Sequence, residues 1–400
     1  MGATMTTVSA LTKEIYENKL QDQLNTEVTT LTRVQKTSEG VTNEVGGKYV
    51  VFPINTTRNQ GMGARLEMEA LPTPGNQGTK GARVGLRYLY GGLRMSGQTF
   101  ELAKTNSQSF VATLDLEMEG LKRDLSIDLN RMVYGDGTGT LARINTIATS
   151  TTATVDHTLW LTQQVGAIVD IYDTTGVTQK ASARTITAVT ATTVTFSGAN
   201  VTFAVGDFFV RTGSIGAADL SVQREWTGLA AITSAAASLY NVSDAVWTAN
   251  RFTNSGTPRA LSEGVLTKAH DDVRIRGGSI TAMFMNLGVR RAYANLLEQQ
   301  RRYTNTTEFK GGFSGLAFTT DKGDVPMVVD TYCPPNTIYG LNEKELKWYR
   351  QADWEFMDRD GSMWNRVSGF DAYDGILYQY SELGTHRRNS HFLLNDLIEG

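Results

Sequence analysis

SQSFVATLDLEMEGLKRDLSIDLNRMVY, residues 107–134, carries the strongest periodicity in this 400-residue chain. Phe110, Leu114, Met118, Leu121, Leu125, Leu129 and Met132 recur at spacings of three and four, which is the repeat of one helix face. Gly120 interrupts the pattern only mildly. At 1.5 Å per residue such a helix spans roughly 40 Å, long enough to act as a strut. "GDGTG", residues 135–139, supplies the stop. It looks superficially like a phosphate loop, but phosphate loops follow a strand and open a helix, whereas this one closes a helix. A glycine cap with a turn is the better reading.

Working upstream, residues 46–104 read as a long two-stranded excursion. The outgoing strand is "KYVVFPI", Lys48 to Ile54. The returning strand is taken as Ala82 to Leu102, with Val84, Leu86, Tyr88 and Tyr90 on one face. Between them lies a stretch rich in Gly, Pro and Asn, long enough to suggest a function or a partner. A two-stranded ribbon is marginal alone in water, so it is expected to lie on another subunit. Residues 1–45 are polar, with a weak apolar stripe at Leu11, Ile15, Leu20 and Leu24. They bury too little to fold alone, and a neighbouring subunit is the simplest partner.

Downstream, residues 146–215 change character. Thr, Val and Ala dominate, charge is sparse, and "GAIVDIYD", "ARTITAVTATTVTFSG" and "VGDFFVRTGS" predict a small barrel or sandwich of about five strands. This reads as an inserted all-β domain. Residues 216–345 return to mixed α/β, with helices over "SEGVLTKAHDDVRIRGG" and "LGVRRAYANLLEQQRRY" and short strands at Met283–Asn286 and "VPMVVDTYCPP". Residues 346–400 are strand-rich.

Composition narrows the function. Lys and Arg total 38 against 41 Asp and Glu, a net charge of −3. A protein that grips nucleic acid through phosphates usually shows a basic excess, so tight DNA binding is not expected, while a neutral wall around DNA is compatible. One cysteine, Cys333, excludes an intramolecular disulfide and argues against a cysteine metal site. The first ten residues lack the pattern of a signal peptide, and no apolar run reaches the roughly 18 residues of a membrane span. Assembly in a cytoplasm is expected.

The order of these parts resembles the Hong Kong 97-type major capsid protein of tailed double-stranded DNA bacteriophages: N-arm, E-loop, spine helix, A-domain and returning P-domain. "GGSITAMFMNLGVRRAYANLLEQQRRY" resembles the A-domain segment in which a strand leads into a helix. "GGFSGLAFTTDKGDVPMVVDTYCPPNTIYGLNEKELKWY" resembles the stretch that runs to a proline turn and a strand. The resemblance spans nearly the whole chain apart from 146–215. It implies an α+β fold with 1–45 as N-arm, 46–104 as E-loop, 105–145 as spine helix and part of the P-domain, 216–345 as A-domain, and 346–400 as the return. It also implies a non-enzymatic subunit that closes with copies of itself, as pentamers and hexamers, into an icosahedral virion shell. That shell would enclose double-stranded DNA without sequence-specific binding. Portal and scaffolding proteins, and possible decoration proteins, are the implied partners. The chain starts directly at the arm, without a charged coiled-coil leader, so scaffolding is expected from a separate protein or a removed segment.

Some members of that family weld subunits through a Lys–Asn isopeptide bond promoted by a buried Glu. Here Lys48 or Lys80 would supply the amine, and "DRDGSMWN", ending at Asn365, resembles the acceptor segment. The chain departs from the pattern where the promoting carboxylate is expected, since that position is Ala372, with Asp371 and Asp374 only nearby. The plain alternative is a strand or turn asparagine and two solvated lysines. Arg290, Arg291, Arg301 and Arg302 flank a helix; they read either as a solvated face or as subunit contacts. Arg387 and Arg388 are equally ambiguous. His157, His270, His386 and His391 have no metal-binding spacing, no cofactor is implied, and no Ser–His–Asp, Cys–His or G-x-S-x-G arrangement appears. The aromatic group Trp348, Tyr349, Trp354, Phe356 and Trp364 reads as packing. Two other functions compete. An encapsulin-type nanocompartment shell shares the fold; the other is a hydrolase, for which no catalytic arrangement stands out, or a carbohydrate-binding module with the Thr-rich β segment as its glycan surface.

Overall fold

The structure, a computed structural model, describes residues 28–37, 49–98, 107–147, 149–161, 164–216, 219–301, 316–321, 323–351, 353–358 and 362–400. Two mixed units, a barrel and a projecting hairpin are assembled around the long helix Ser107–Tyr134. Its bounds are those the apolar repeat predicts. Met118, Leu121 and Leu125 are half-buried, whereas Leu129 to Tyr134 are buried all round. The side chains of Phe110 and Leu114 lie outside the described residues. Among its described side chains the helix enters the core over its last turns, where Leu129, Met132 and Val133 meet Trp226, Leu229, Phe284 and Trp348. "GDGTG" closes it as a turn: Gly137 and Gly139 take φ of 89° and 76°, the left-handed region that favours glycine.

The first sheet is built on the 14-residue strand Ala372–Thr385. Arg87–Ser96 runs antiparallel along one edge, and Leu346–Arg350, Glu355–Phe356 and Asn365–Arg366 pair along the other. Gln35–Thr37 adds a parallel edge strand to Leu346–Arg350. The second sheet has the order Asn250–Phe252, Phe392–Leu394, Ile338–Leu341, Ala282–Met285, Gly323–Val329, Ala317–Thr320. Ala282–Met285 is buried at every position, as a strand covered on both faces must be. The amphipathic helices Glu263–Ile275 and Leu287–Arg301 pack against this sheet: Leu266, Ala269, Val273, Val289 and Tyr293 join Met283, Met285 and Phe392 in one core.

Six strands close a barrel: Phe208–Arg211, Thr140–Ile147, Thr152–Val155, Thr193–Phe196, Gln179–Val189 and Ile168–Tyr172. Small and β-branched residues, among them Ala142, Ile144, Ala153, Val169, Ile171, Ile186 and Val194, fill its interior with Phe196 and Phe209. A six-stranded barrel has room for side chains and not for a lumen. The barrel begins at Thr140, six residues before the expected boundary, and has one strand more than expected.

The returning strand of the hairpin differs from expectation. Gly78–Gly85 pairs with Tyr49–Thr57, and then a separate strand, Arg87–Ser96, leaves the hairpin for the first sheet. Leu86 is the joint. Across it the alternation changes phase: Val84 and Leu89 are buried, while Tyr88 and Tyr90 are exposed. A one-residue offset sends every following side chain to the opposite face, so the single face expected for Val84, Leu86, Tyr88 and Tyr90 does not exist.

The ribbon also has a home within its own chain. Val50 and Val84 pack on Tyr349, Ala82 packs with Val242 and Trp247, and the rings of Phe52 and His386 lie 4.7 Å apart. Only the tip projects. Likewise residues 28–37 are held within the subunit, while residues 1–27 and 38–48 lie outside the described residues.

Gly228 shows how closely these parts approach. A Cβ there would meet the carbonyl oxygens of Met132, Gly135 and Val133 at 2.4, 2.5 and 2.6 Å. Glycine is what lets the short helix Leu229–Ile232 start directly against the end of the long one.

Candidate assembly surfaces

Among the described residues no group of three or more His, Cys, Asp and Glu is placed to hold a metal ion. The features that bear on function are exposed surfaces and the buried polar joints that fix them in space.

The hairpin tip exposes Met62, Leu66, Met68 and Leu71. Met68 has φ 66°, and the turn is closed by Leu66 N donating to Glu69 Oε2 at 2.9 Å and Arg65 Nε donating to the Ala70 carbonyl at 2.8 Å. Four large apolar side chains along one loop form a surface suited to a partner. Near the loop end of the returning strand Lys80 Nζ donates to the Ser243 carbonyl at 3.2 Å and pairs with Asp244 Oδ2 at 3.0 Å. Asn365 is exposed and pairs with Asp374 across a two-residue strand. The two are thus placed on different elements, and the Lys80 amine is already engaged by Ser243 and Asp244. Lys48 lies outside the described residues. The buried glutamate of this sheet is Glu382, which is taken up by Thr227 N, Leu383 N and Arg87 Nε at 2.6, 3.0 and 3.0 Å.

A second surface is the outer face of the first sheet. Tyr88 stands edge-on to Tyr380 with centroids 5.0 Å apart, and Tyr378 lies 5.2 Å from Tyr380. Beside them Arg94 forks onto Asp374 with two hydrogen bonds of 2.6 and 2.9 Å.

Of the arginines flanking the helix Leu287–Arg301, Arg291 donates from Nε to the Gly400 carbonyl at 2.7 Å, which ties the end of the chain to the helix. Arg290 is partly buried and engaged within the chain. Arg302 and the side chain of Arg301 lie outside the described residues.

Three buried joints went unnoticed in the sequence. In the first, Asp330 accepts from Thr30 N (3.0 Å), Thr30 Oγ1 (2.6 Å), Asn130 Nδ2 (3.1 Å) and Tyr332 N (2.8 Å). It clamps the segment at Thr30 to the long helix. In the second, Arg131 of the long helix bridges Asp128 and Glu225, and Arg211 of the barrel reaches the same Asp128. The barrel is further fixed by Trp160 Nε1, which donates to the Tyr332 carbonyl at 3.0 Å. In the third, Arg388 is 0% exposed and donates to the carbonyls of Ile232, Ala236, Trp247 and Ser234 at 2.7 to 3.2 Å. The arginine pair at 387–388 is therefore split: Arg388 is a core crosslink of loops. Only the Asp128–Arg131 spacing of three on a helix was a usable signal.

His391 is fully buried beside these joints. Its Nδ1 accepts from Asn342 N at 3.2 Å, which leaves Nε2–H to donate to Thr385 Oγ1 at 2.8 Å. Burial pushes the imidazole down to about 3. Unfolded, it takes up a proton near its ordinary value of about 6.5. The unfolded state therefore binds more protons between those two values, and stability falls as pH drops from about 6.5 toward 3. Between pH 7 and pH 5 this group is expected to cost about 2 kcal/mol. Urea titrations of the wild type and His391→Asn at both pH values check this; an identical pH dependence in the two would refute the assignment.

Residues 207–390 match the model of the SU10 major capsid protein family. No curated protein sequence matches the chain. Among solved structures, the fold is similar to a chain of the cyanophage A-1(L) capsid asymmetric unit, with 13% identity, 99% of both chains covered and a TM-score of 0.62. It is similar also to the capsid of a native GTA particle, with 10% identity, 96% of this chain and 95% of that one covered, and a TM-score of 0.51. The SrpI encapsulin of Synechococcus elongatus aligns at 6% identity over 100% and 97% of the two chains, with a TM-score of 0.48.

Proposed function

We infer that this chain is a phage major capsid protein, a structural subunit and not an enzyme, which assembles in many copies into the virion shell. The match of residues 207–390 to the SU10 major capsid protein family carries the reading, and the full-length fold agrees with it.

On this reading the hairpin Tyr49–Gly85 is the E-loop, Ser107–Tyr134 the spine helix, the sheet on Ala372–Thr385 the P-domain, the sheet on Ile338–Leu341 the A-domain, and the barrel an insertion. Copies group as pentamers and hexamers, and the apolar hairpin tip lies over a neighbouring copy. The near-neutral charge suits a wall around DNA held without sequence-specific contacts. Scaffolding, portal and decoration proteins are the further partners proposed, with assembly in the host cytoplasm. Arg290, Arg291, Arg301 and Arg302 are proposed to flank subunit contacts. Covalent welding through Lys48 or Lys80 and Asn365 is the lesser reading, because Lys80 is already paired with Asp244 and the position expected to hold the promoting acid is Ala372.

Expression of the chain, with a scaffolding protein where one is needed, is expected to give uniform shells in negative stain. Their denaturing gel is expected to show a single band near 43.8 kDa. A chain that never leaves the monomer under these conditions would sink the shell reading. A ladder of multiples would restore the weld, and particles filled with a cargo enzyme and lacking DNA would favour the nanocompartment.

A further inference from the structure

A cavity of about 890 Å³ opens between the hairpin base, the barrel and the second sheet. Sites for small ligands typically measure roughly 300–1,000 Å³. Four arginines line it: Arg83 from the hairpin, Arg87 from the strand that follows, Arg143 from the first barrel strand and Arg251 from Asn250–Phe252. Arg87 is committed to Glu382. Arg83, Arg143 and Arg251 are exposed, and no carboxylate among the described residues pairs with their guanidinium groups; Arg143 only rests over the Phe208 ring, 5.0 Å from its centroid. Asp136, the one carboxylate in the lining, is occupied by the backbone N–H and hydroxyl of Thr138.

An independent feature points into the same space. Tyr339, 3% exposed overall, lines the cavity, and its hydroxyl opens to that space without a hydrogen-bond partner among the described residues. The walls therefore present an excess of donors: three unpaired guanidinium groups from three separate elements, and one phenol.

We propose that this cavity binds a compact polyanion carrying two or more phosphoryl groups. Guanidinium forks fit phosphate oxygens in bidentate pairs, and a polyphosphate chain is rich in acceptors. Its charge offsets the mutual repulsion of three cations drawn together. A DNA duplex is a convex rod with its phosphates outermost, a poor fit to a cavity walled by three elements. Bound there, the anion staples hairpin, barrel and sheet to one another. Inorganic polyphosphate and a nucleoside triphosphate share this chemistry. The proposal does not depend on shell formation, because it is tested on the unassembled subunit.

Isothermal titration of the full-length subunit with sodium tripolyphosphate, at fixed ionic strength, is expected to show saturable binding of one anion per chain. The triple variant Arg83→Gln/Arg143→Gln/Arg251→Gln is expected to bind at least tenfold more weakly. Tyr339→Phe, which removes a single oxygen, is expected to bind about threefold more weakly at an unchanged melting temperature, and it carries the test if the triple variant does not fold. Competition by ATP would assign the nucleotide as ligand; its failure with tripolyphosphate still bound would assign the bare polyphosphate. Absence of saturable binding, unchanged affinity in both variants, or displacement of the anion by a short DNA duplex would each overturn the proposal.

Discussion

Replacement of Arg131 by methionine is expected to destabilise the unassembled subunit by about 3–5 kcal/mol, read as the shift in the urea midpoint at constant m-value. The side chain is 3% exposed. Its Nε donates to Asp128 Oδ1 at 2.8 Å, and Nη2 donates to both oxygens of Glu225 at 2.9 and 2.8 Å. Burial pushes the Asp128 carboxyl up, but Arg131 and Arg211 outweigh it and hold that carboxyl below its usual range. Methionine fills much of the volume and leaves two carboxylates in the interior, with Arg211 alone to serve Asp128. Removing one partner of a buried pair costs far more than the pair contributes, because the remaining charge keeps its desolvation penalty. Arg131→Lys keeps a point charge but loses the fork, so a smaller loss is expected. The double variant Arg131→Met/Glu225→Gln is expected to lose less than the sum of its singles. A loss under about 1 kcal/mol for Arg131→Met would show that the joint contributes little.

This joint illustrates what the sequence hides. The helix 107–134 was legible because seven apolar residues repeat on one face and Gly135 stops it; both are local signals. The barrel was legible from Ile168 onward because Val, Ile and Phe alternate with Thr over short runs. Its first strand, "TLARINTI", was missed because Arg143 and Asn145 dilute the alternation, and only closure against Phe208–Arg211 places it. The break at Leu86 was not legible, since "ARVGLRYLY" alternates smoothly and only the pairing of Arg87–Ser96 with Ala372–Thr385 reveals the changed phase. Arg388 looked like surface charge because nothing local says that four carbonyls from 141 to 156 residues away converge on it. The candidate surfaces divide in the same way. The projecting hairpin was visible as a Gly- and Pro-rich excursion, whereas the anchoring of its base on Tyr349 and Trp247 depends on residues about 160 to 300 positions away and has no local trace.

Asp330→Ala is expected to cost a similar amount, about 3–5 kcal/mol, with a local signature that separates it from Arg131. The carboxylate is fully buried, and among the described residues no cation pairs with it. It is held by four donors: two from Thr30, one from Asn130 and one from Tyr332. Each buried donor left without an acceptor costs about 1–3 kcal/mol, partly offset here by losing the desolvation cost of the charge. Two of the four donors belong to Thr30, at the start of the segment that runs on to Gln35–Thr37 and the edge of the first sheet. The variant should therefore loosen that segment before the rest of the subunit unfolds, leaving it held by Leu31 and Val34 in the core, the Leu31 N to Asn130 Oδ1 bond and the Arg33–Glu343 ion pair. Limited proteolysis under native conditions is expected to cut within residues 28–37 in Asp330→Ala and not in Arg131→Met, even when both lose the same stability. Asp330→Asn retains one acceptor oxygen but turns an N–H₂ toward donors, so it should fall between the wild type and alanine. A destabilised Asp330→Ala whose segment stays as resistant as the wild type would place the role of this carboxylate in the turn at Tyr332 and remove it from the clamp.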